Sequence, residues 1–180
     1  MVFDLQPTLE NESVILRPLK EDDFEDLYRV ASDPLIWEQH PAKERSQREG
    51  FSLFFKEAMT SKGAFVMIDK KAGKIIGSTR FNRVKESSDA IEIGWTFLAR
   101  DYWGGYYNQV IKTLQIEYAF NYVTRVLFYI HESNFRSQRA VEKLGGERIT
   151  SIDGKALEIR PTASVTYQVR KKTPIQKKAR

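Results

Sequence analysis

Two adjacent glycines, Gly104 and Gly105, stand in the run Tyr102-Trp103-Gly104-Gly105-Tyr106-Tyr107-Asn108, directly before a helical pattern. Glycine lets a chain turn tightly and brings its amides close to a ligand. The first N–H groups of a helix lack intrahelical partners and sit at the positive end of its dipole. The chemistry of such a junction is anion binding, and a pyrophosphate is its natural guest; a tight turn with no ligand is the other reading of the same residues. Just upstream, Ile91, Ile93, Trp95 and Phe97 alternate with Glu92, Gly94 and Thr96. Strand alternation puts Glu92 and Thr96 on one face, with the carboxylate looking into a cleft. There it serves as a general base, or it pairs with a neighbouring Arg or Lys, or it is solvated.

These residues need elements to hold them. After the glycines, Tyr107, Val110, Ile111, Leu114, Tyr118 and Tyr122 recur at helical spacing, with Lys112, Gln115, Glu117 and Asn121 between them. This predicts an amphipathic helix with its apolar side on a sheet. Residues 126–130 are a short apolar run that reads as a strand buried on both faces. A second helix starts at Asn134, a good cap residue, and ends near Gly145 and Gly146. Earlier in the chain, residues 14–16 read as a strand, 21–31 and 47–59 as amphipathic helices, and 64–68 with 74–81 as a hairpin. Residues 91–97 add a third antiparallel strand, and 148–152, 156–159 and 164–169 read as closing strands.

The order strand, glycine turn, helix, strand, helix resembles the GCN5-related N-acetyltransferases (GNAT), and most closely their ribosomal-protein N-acetyltransferase branch. The matching pieces are Glu92-Ile93-Gly94-Trp95, then Trp103-Gly104-Gly105-Tyr106-Tyr107-Asn108, then Asn134-Phe135-Arg136-Ser137-Gln138 with Glu142-Lys143-Leu144-Gly145. Leu16-Arg17-Pro18-Leu19, Asp22-Asp23 and Ser32-Asp33-Pro34 fit that branch's first strand and helix. The resemblance spans roughly residues 13 to 169. It implies an α+β (mixed α/β) fold: a single GNAT-like domain with a mostly antiparallel central sheet, helices on both faces, and a splayed strand pair holding the cofactor. It also implies acetyl-coenzyme A as acetyl donor and a primary amine as acceptor, either a small molecule or a protein N-terminus such as that of a ribosomal protein or peptide.

Carried over residue by residue, the resemblance makes Glu92 the general base, directly or through water. It places the pantetheine arm against the backbone of Trp95, Phe97 and Leu98, and the pyrophosphate on the turn from Tyr102 through Trp103, Gly104, Gly105, Tyr106 and Tyr107 to Asn108. The family's turn opens on Gln or Arg and has a second small residue; this chain has Asp101 and Tyr106 at those points, and Arg100 is expected to supply the charge. In the last helix, Asn134, Ser137 and Lys143 match cofactor contacts. Val141 occupies the place of the family's usual tyrosine acid, and in the ribosomal-protein branch a serine matching Ser137 has been given that role. The acid is then Ser137, a tyrosine from elsewhere or bound water, and a structural hydrogen-bonding role is the first reading of Ser137 itself. A tyrosine at 141 is expected to be neutral or partly restorative if the ring fits.

Composition narrows the classes. The 180 residues are 41% hydrophobic, enough for one sizeable core. With no cysteine, thiolate metal sites, disulfides and a cysteine nucleophile are excluded, and two distant histidines do not make a metal site. Six positive charges without an acid lie in residues 170–180, so the formal charge of +5 becomes −1 for residues 1–169. The expected organisation is an acetyltransferase domain over 1–169 and a basic, disordered tail over 170–180. No membrane association is expected and the location is read as cytoplasmic. A catalytically idle coenzyme A-binding or scaffold protein is the alternative that Val141, Asp101 and Tyr106 favour. The tail alone favours a nucleic-acid or ribosome contact, and a solvated end is the simpler reading of it. A monomer or a homodimer fits equally.

Overall fold

The computed structural model describes residues 2–157 and 165–172. One eight-stranded sheet runs through it. Its strands are β1 (Leu9–Glu10), β2 (Val14–Pro18), β3 (Ala64–Asp69), β4 (Lys74–Arg83), β5 (Ala90–Leu98), β6 (Arg125–Ile130), β7 (Glu147–Ile149) and β10 (Val165–Arg170), in the order β1-β2-β3-β4-β5-β6-β10-β7. Every neighbouring pair is antiparallel except β5 and β6. A small hairpin, β8 (Ser151–Ile152) with β9 (Lys155–Ala156), stands apart from it. The sequence reads 148–152 as one strand; it is broken at Thr150 into β7 and β8. The strand expected over 156–159 lies partly outside the described residues, as do residues 173–180 of the tail expected over 170–180; Arg170 at the start of that tail is instead the last residue of β10, paired with Arg125.

Four helices cover the two faces of the sheet. α1 (Phe24–Ala31) and α2 (Arg48–Thr60) lie on one side, where Leu27, Phe51, Phe54 and Phe55 pack with Trp37, Val66 and Phe97. α3 (Tyr106–Ala119) and α4 (Phe135–Glu142) lie on the other, where Ile111, Ile116 and Val141 pack with Ile91, Ile93, Val126 and Phe128. Leu127 is turned to the α1 side and packs with Ile152 of the small hairpin, so β6 is buried on both faces as its apolar run predicts. Among the described residues, no helix is long and apolar enough to cross a membrane, and no cluster of His, Asp and Glu is placed to hold a metal ion.

β5 is not a regular strand. Ser78 of β4 faces Phe97, and Arg80 faces Gly94, so Trp95 and Thr96 together oppose the single residue Thr79. This is a β-bulge, and Trp95 carries it with φ +50°, a conformation that costs a non-glycine residue on the order of 1–3 kcal/mol. The extra residue swaps the faces of everything after it. Ile91 and Ile93 point to the α3 side, yet Trp95 and Phe97 pack on the α1 side. Glu92 and Thr96 therefore stand on opposite faces, which corrects the expectation drawn from simple alternation.

A second correction concerns α3. Lys112 and Gln115, read as solvent-side residues, are buried against the bulge. Lys112 Nζ donates to Thr96 Oγ1 (2.6 Å), Thr79 Oγ1 (3.1 Å) and Gln115 Oε1 (3.3 Å), and the two threonine hydroxyls are 2.9 Å apart. The polar cluster fills the concave side of the bulge and fixes α3 to it. Burial pulls the Lys112 ammonium from an ordinary 10.5 down to about 7.

The depressed lysine makes stability depend on pH. Between about 7 and 10.5 the unfolded chain holds a proton on Lys112 that the folded chain has shed, so stability rises as pH climbs through that window. Below about pH 7 the folded protein carries the full cost of a buried charge. Denaturant melts at pH 7 and pH 9 should show a higher midpoint at pH 9, and Lys112→Met should shrink the difference. Equal pH slopes in both proteins would assign the effect to other groups.

Candidate active site

β5 and β6 are in register only through Ala90↔Arg125, Ile91↔Val126 and Glu92↔Leu127. Beyond Glu92 they part: β5 bends along β4 toward Leu98, and β6 runs on beside β10 to Ile130. A bulge bends its strand and raises the local twist, which accounts for the divergence starting there. The result is a wedge inside the sheet, edged by the backbones of residues 93–98 on one side and 128–130 on the other. An extended polar chain can lie between two such edges as a strand would.

At the apex of the wedge sits Glu92, only 2% exposed. Its Oε2 accepts from Asn82 Nδ2 at 3.0 Å. It shares the α1 side with Arg80, a β4 residue whose guanidinium lies 4.5 Å from the centre of the Trp95 ring and 5.8 Å from that of Phe54. Arg45 lies 4.7 Å from the centre of the Phe54 ring and 5.7 Å from that of Trp37. Burial holds the Arg80 guanidinium down to about 10, with Arg45 pushing the same way and Glu57 and Glu92 opposing. His40, at the edge of this group, is lowered to about 4, first by burial and then by Arg45 and His131; its Nδ1 accepts the Ala42 N–H. The α1 face of the wedge is thus an aromatic chamber with a carboxylate at the sheet, the buried Arg80 over Trp95 and the half-buried Arg45 beside Phe54.

At the open end, Gly104 (φ +100°) and Gly105 (φ +114°) turn the chain into α3. No side chain caps that helix, so its first N–H groups are presented by the turn itself. A buried carboxylate holds the turn in place: Asp69, at the end of β3, accepts from Tyr102 Oη (2.9 Å) and Tyr107 Oη (3.3 Å). Tyr106 Oη meets Ser13 Oγ at 2.7 Å. The three tyrosine hydroxyls therefore support the turn from behind. Trp103 donates its Nε1 proton to the Leu98 carbonyl (2.8 Å), which occupies one of the backbone acceptors expected for the pantetheine arm. Arg100, expected to balance a pyrophosphate, is ion-paired with Asp33 beside α1. Its charge is thus engaged by a carboxylate, and Asp101 is exposed.

α4 supplies the remaining wall. Asn134 caps it, its Oδ1 accepting the Ser137 N–H at 3.1 Å, so the cap role read from the sequence is observed. The Ser137 hydroxyl makes no hydrogen bond among the described residues. Arg136 spans the mouth of the wedge: its guanidinium lies 3.9 Å over Trp103 and donates to the Ile36 carbonyl (3.0 Å), and its N–H donates to Gln39 Oε1 (3.2 Å). Lys143 is the C-cap residue, exposed, at the opposite end of α4 from Asn134. At the rise of an α-helix, the two expected contacts stand about 13 Å apart along its axis.

The sequence matches the family model of the acetyltransferase (GNAT) domain over residues 13–147. The chain belongs to the GNAT acetyltransferases. Solved structures agree on the GNAT fold: an acetyltransferase of the family from Bacillus anthracis is 20% identical, with 90% of this chain and 96% of that one covered at TM-score 0.67. A Vibrio cholerae protein described as a ribosomal-protein-serine acetyltransferase is 14% identical over 94% and 100% of the two chains, TM-score 0.67. The microcin C7 self-immunity acetyltransferase MccE, solved with acetyl-CoA and AMP, is 18% identical over 93% and 98%, TM-score 0.68.

Sequence reasoning brought together Glu92, the glycine turn and Asn134, and missed Arg80, Arg45, Asn82 and Asp69. Arg80 and Asn82 carried a signal, since with Ser78 they interrupt the apolar content of β4. The residue at 141 is tightly fitted. Val141 is buried in the α3 side core, and a Cβ on Gly146 would collide with its side chain and come within 2.8 Å of its carbonyl oxygen. The neutral outcome for a tyrosine is conditional on room for its ring, and little is left: Val141→Tyr should lower stability by about 1–3 kcal/mol through overpacking. A thermal melt unchanged by the substitution would show that α4 can shift to admit the ring.

Proposed function

We propose that this protein transfers the acetyl group of acetyl-coenzyme A to a primary amine, with Glu92 as general base. The observation that carries the reading is the divergence of β5 and β6 directly beyond the buried Glu92 carboxylate. Acetyl-coenzyme A supplies an activated acyl group as a thioester. The wedge offers two unpaired backbone edges for its amide-bearing arm, and the turn at Gly104 and Gly105 with the uncapped start of α3 suits its pyrophosphate. Because Arg100 is engaged by Asp33, the anion is held by backbone amides and the helix dipole.

The protein's own task is proton handling and exclusion of water. An acceptor arrives largely as an ammonium and attacks only as a neutral amine; Glu92, kept in place by Asn82, takes that proton directly or through a water. Burial under Trp95, Phe97 and Trp37 limits competing hydrolysis. Ser137, one turn into α4 with its hydroxyl uncommitted among the described residues, is the donor to the departing thiolate. Protein N-termini and small amines both satisfy this chemistry; the likeness to the Vibrio cholerae protein favours including ribosomal-protein N-termini among the acceptors tested.

Three variants test the assignment. Glu92→Gln should lower kcat by about 10²-fold or more while leaving acetyl-coenzyme A affinity within a few fold. Unaltered turnover across pH would remove Glu92 from the mechanism. Gly104→Val should weaken cofactor binding, read by calorimetry, because a β-branched residue resists φ +100° and the turn would lose its amide arrangement. For Ser137→Ala the expected loss is about tenfold, since a thiolate already leaves readily; wild-type single-turnover rates would restrict Ser137 to its place in the helix cap.

A further inference from the structure

The least expected group in the molecule is the guanidinium of Arg80. It belongs to a residue only 5% exposed, and both its Nε and its Nη2 are buried without a hydrogen-bond partner among the described residues. Buried donors of this kind are nearly always satisfied, and a charged group left without partners is costly. Neither Arg80 nor Arg45 is ion-paired among the described residues. The two unsatisfied nitrogens are not an arbitrary pair. Nε–H and the adjacent Nη2–H point the same way, and this edge of a guanidinium takes both oxygens of one carboxylate in parallel hydrogen bonds. The plane of the fork is fixed by Trp95 and Phe54, so the edge is preorganised.

The location gives the orphan edge a purpose. Arg80 pairs with Gly94 in the bulge, beside Glu92 and on the same side of the sheet, so a group bound there lies next to the base. We propose that the acceptor is an amine that also bears a carboxylate, held by the Nε and Nη2 edge of Arg80 with Arg45 as a second positive charge. Glu57 and Glu92 already act on this pair of cations. These acids already offset the two cations, so the choice of ligand rests on geometry: the flat, two-pronged edge matches the two coplanar oxygens of a carboxylate. The substrate class is then an amino acid, or a peptide with Asp or Glu at its first positions. This inference rests on the acetyltransferase reading above and narrows its acceptor.

The test uses matched acceptors and the full chain. One arm compares amino acids with their α-amides; the other compares peptide amides beginning Ser-Glu with those beginning Ser-Gln. In at least one arm the carboxylate member should have kcat/KM about tenfold higher or more. A preference in the first arm identifies free amino acids, and in the second, acidic N-termini; none in either arm overturns the proposal. Arg80→Lys, which keeps the charge and loses the fork, should reduce the ratio to near one through KM, with acetyl-coenzyme A affinity retained. An undiminished ratio overturns the proposal as well. Should Arg80→Lys fail to fold, Arg45→Gln must itself reduce the preference severalfold, and a preference indifferent to it counts against the site. If no amine is turned over at all, the acetyltransferase reading fails separately; calorimetry with L-glutamate against L-glutaminamide, in the presence of coenzyme A, still decides whether Arg80 holds a carboxylate.

Discussion

Opposite Thr79, β5 holds one residue more than β4 can pair, and the architecture of the site follows from how that residue is accommodated. An added residue in a strand bends it and reverses the facing of what comes after. Here the bend opens the sheet between β5 and β6, and the reversal turns Trp95 and Phe97 toward α1 and α2 while the exposed Thr96 turns its hydroxyl to Lys112 of α3. A regular β5 would have stayed beside β6 and placed Trp95 against α3. The same residue thus opens the wedge and furnishes its aromatic wall.

Such a distortion persists only if something fills it. The Lys112, Gln115, Thr79 and Thr96 cluster does so from the α3 side, and Arg80 with Trp95 does so from the α1 side. Each sets a buried basic side chain against the bulge, Lys112 on one face and Arg80 on the other, a costly arrangement for a core. The helix whose first turn presents amides at the wedge mouth is therefore fixed by Lys112, two turns in, to the strand that carries the base. Asp69 adds a second anchor through Tyr102 and Tyr107, tying the glycine turn to the β3 and β4 hairpin. The site is held by polar contacts buried at its margins, and its catalytic carboxylate is one member of that set.

Much of this was legible in the chain. Gly104 and Gly105 announce a turn because no other residue takes φ near +100° cheaply, and Asn134 announces a helix start through its side-chain oxygen. The run 126–130 has no charged residue to place on a solvent face, and it is buried on both. The bulge was hidden because Trp95 carries it: a large aromatic gives no hint of a positive φ, and Ile91, Ile93, Trp95 and Phe97 keep a perfect alternation in the text while the backbone breaks it. Lys112 was hidden for a similar reason, since helical periodicity assigns a lysine to water and cannot see the threonine pair waiting beneath. Arg100 and Asp33 lie 67 residues apart, with α2, β3, β4 and β5 between them, so their ion pair had no local trace.

The chain has three tryptophans, and all three border the wedge: Trp37 in the aromatic chamber, Trp95 in the bulge, Trp103 at the mouth. Over each lies an arginine, Arg45, Arg80 and Arg136 respectively. Excited indole is sensitive to the charge and water around it, so the tryptophan emission of this protein originates wholly from the walls of its site. Its native light is a built-in gauge, free of labels and of indole background from the rest of the fold.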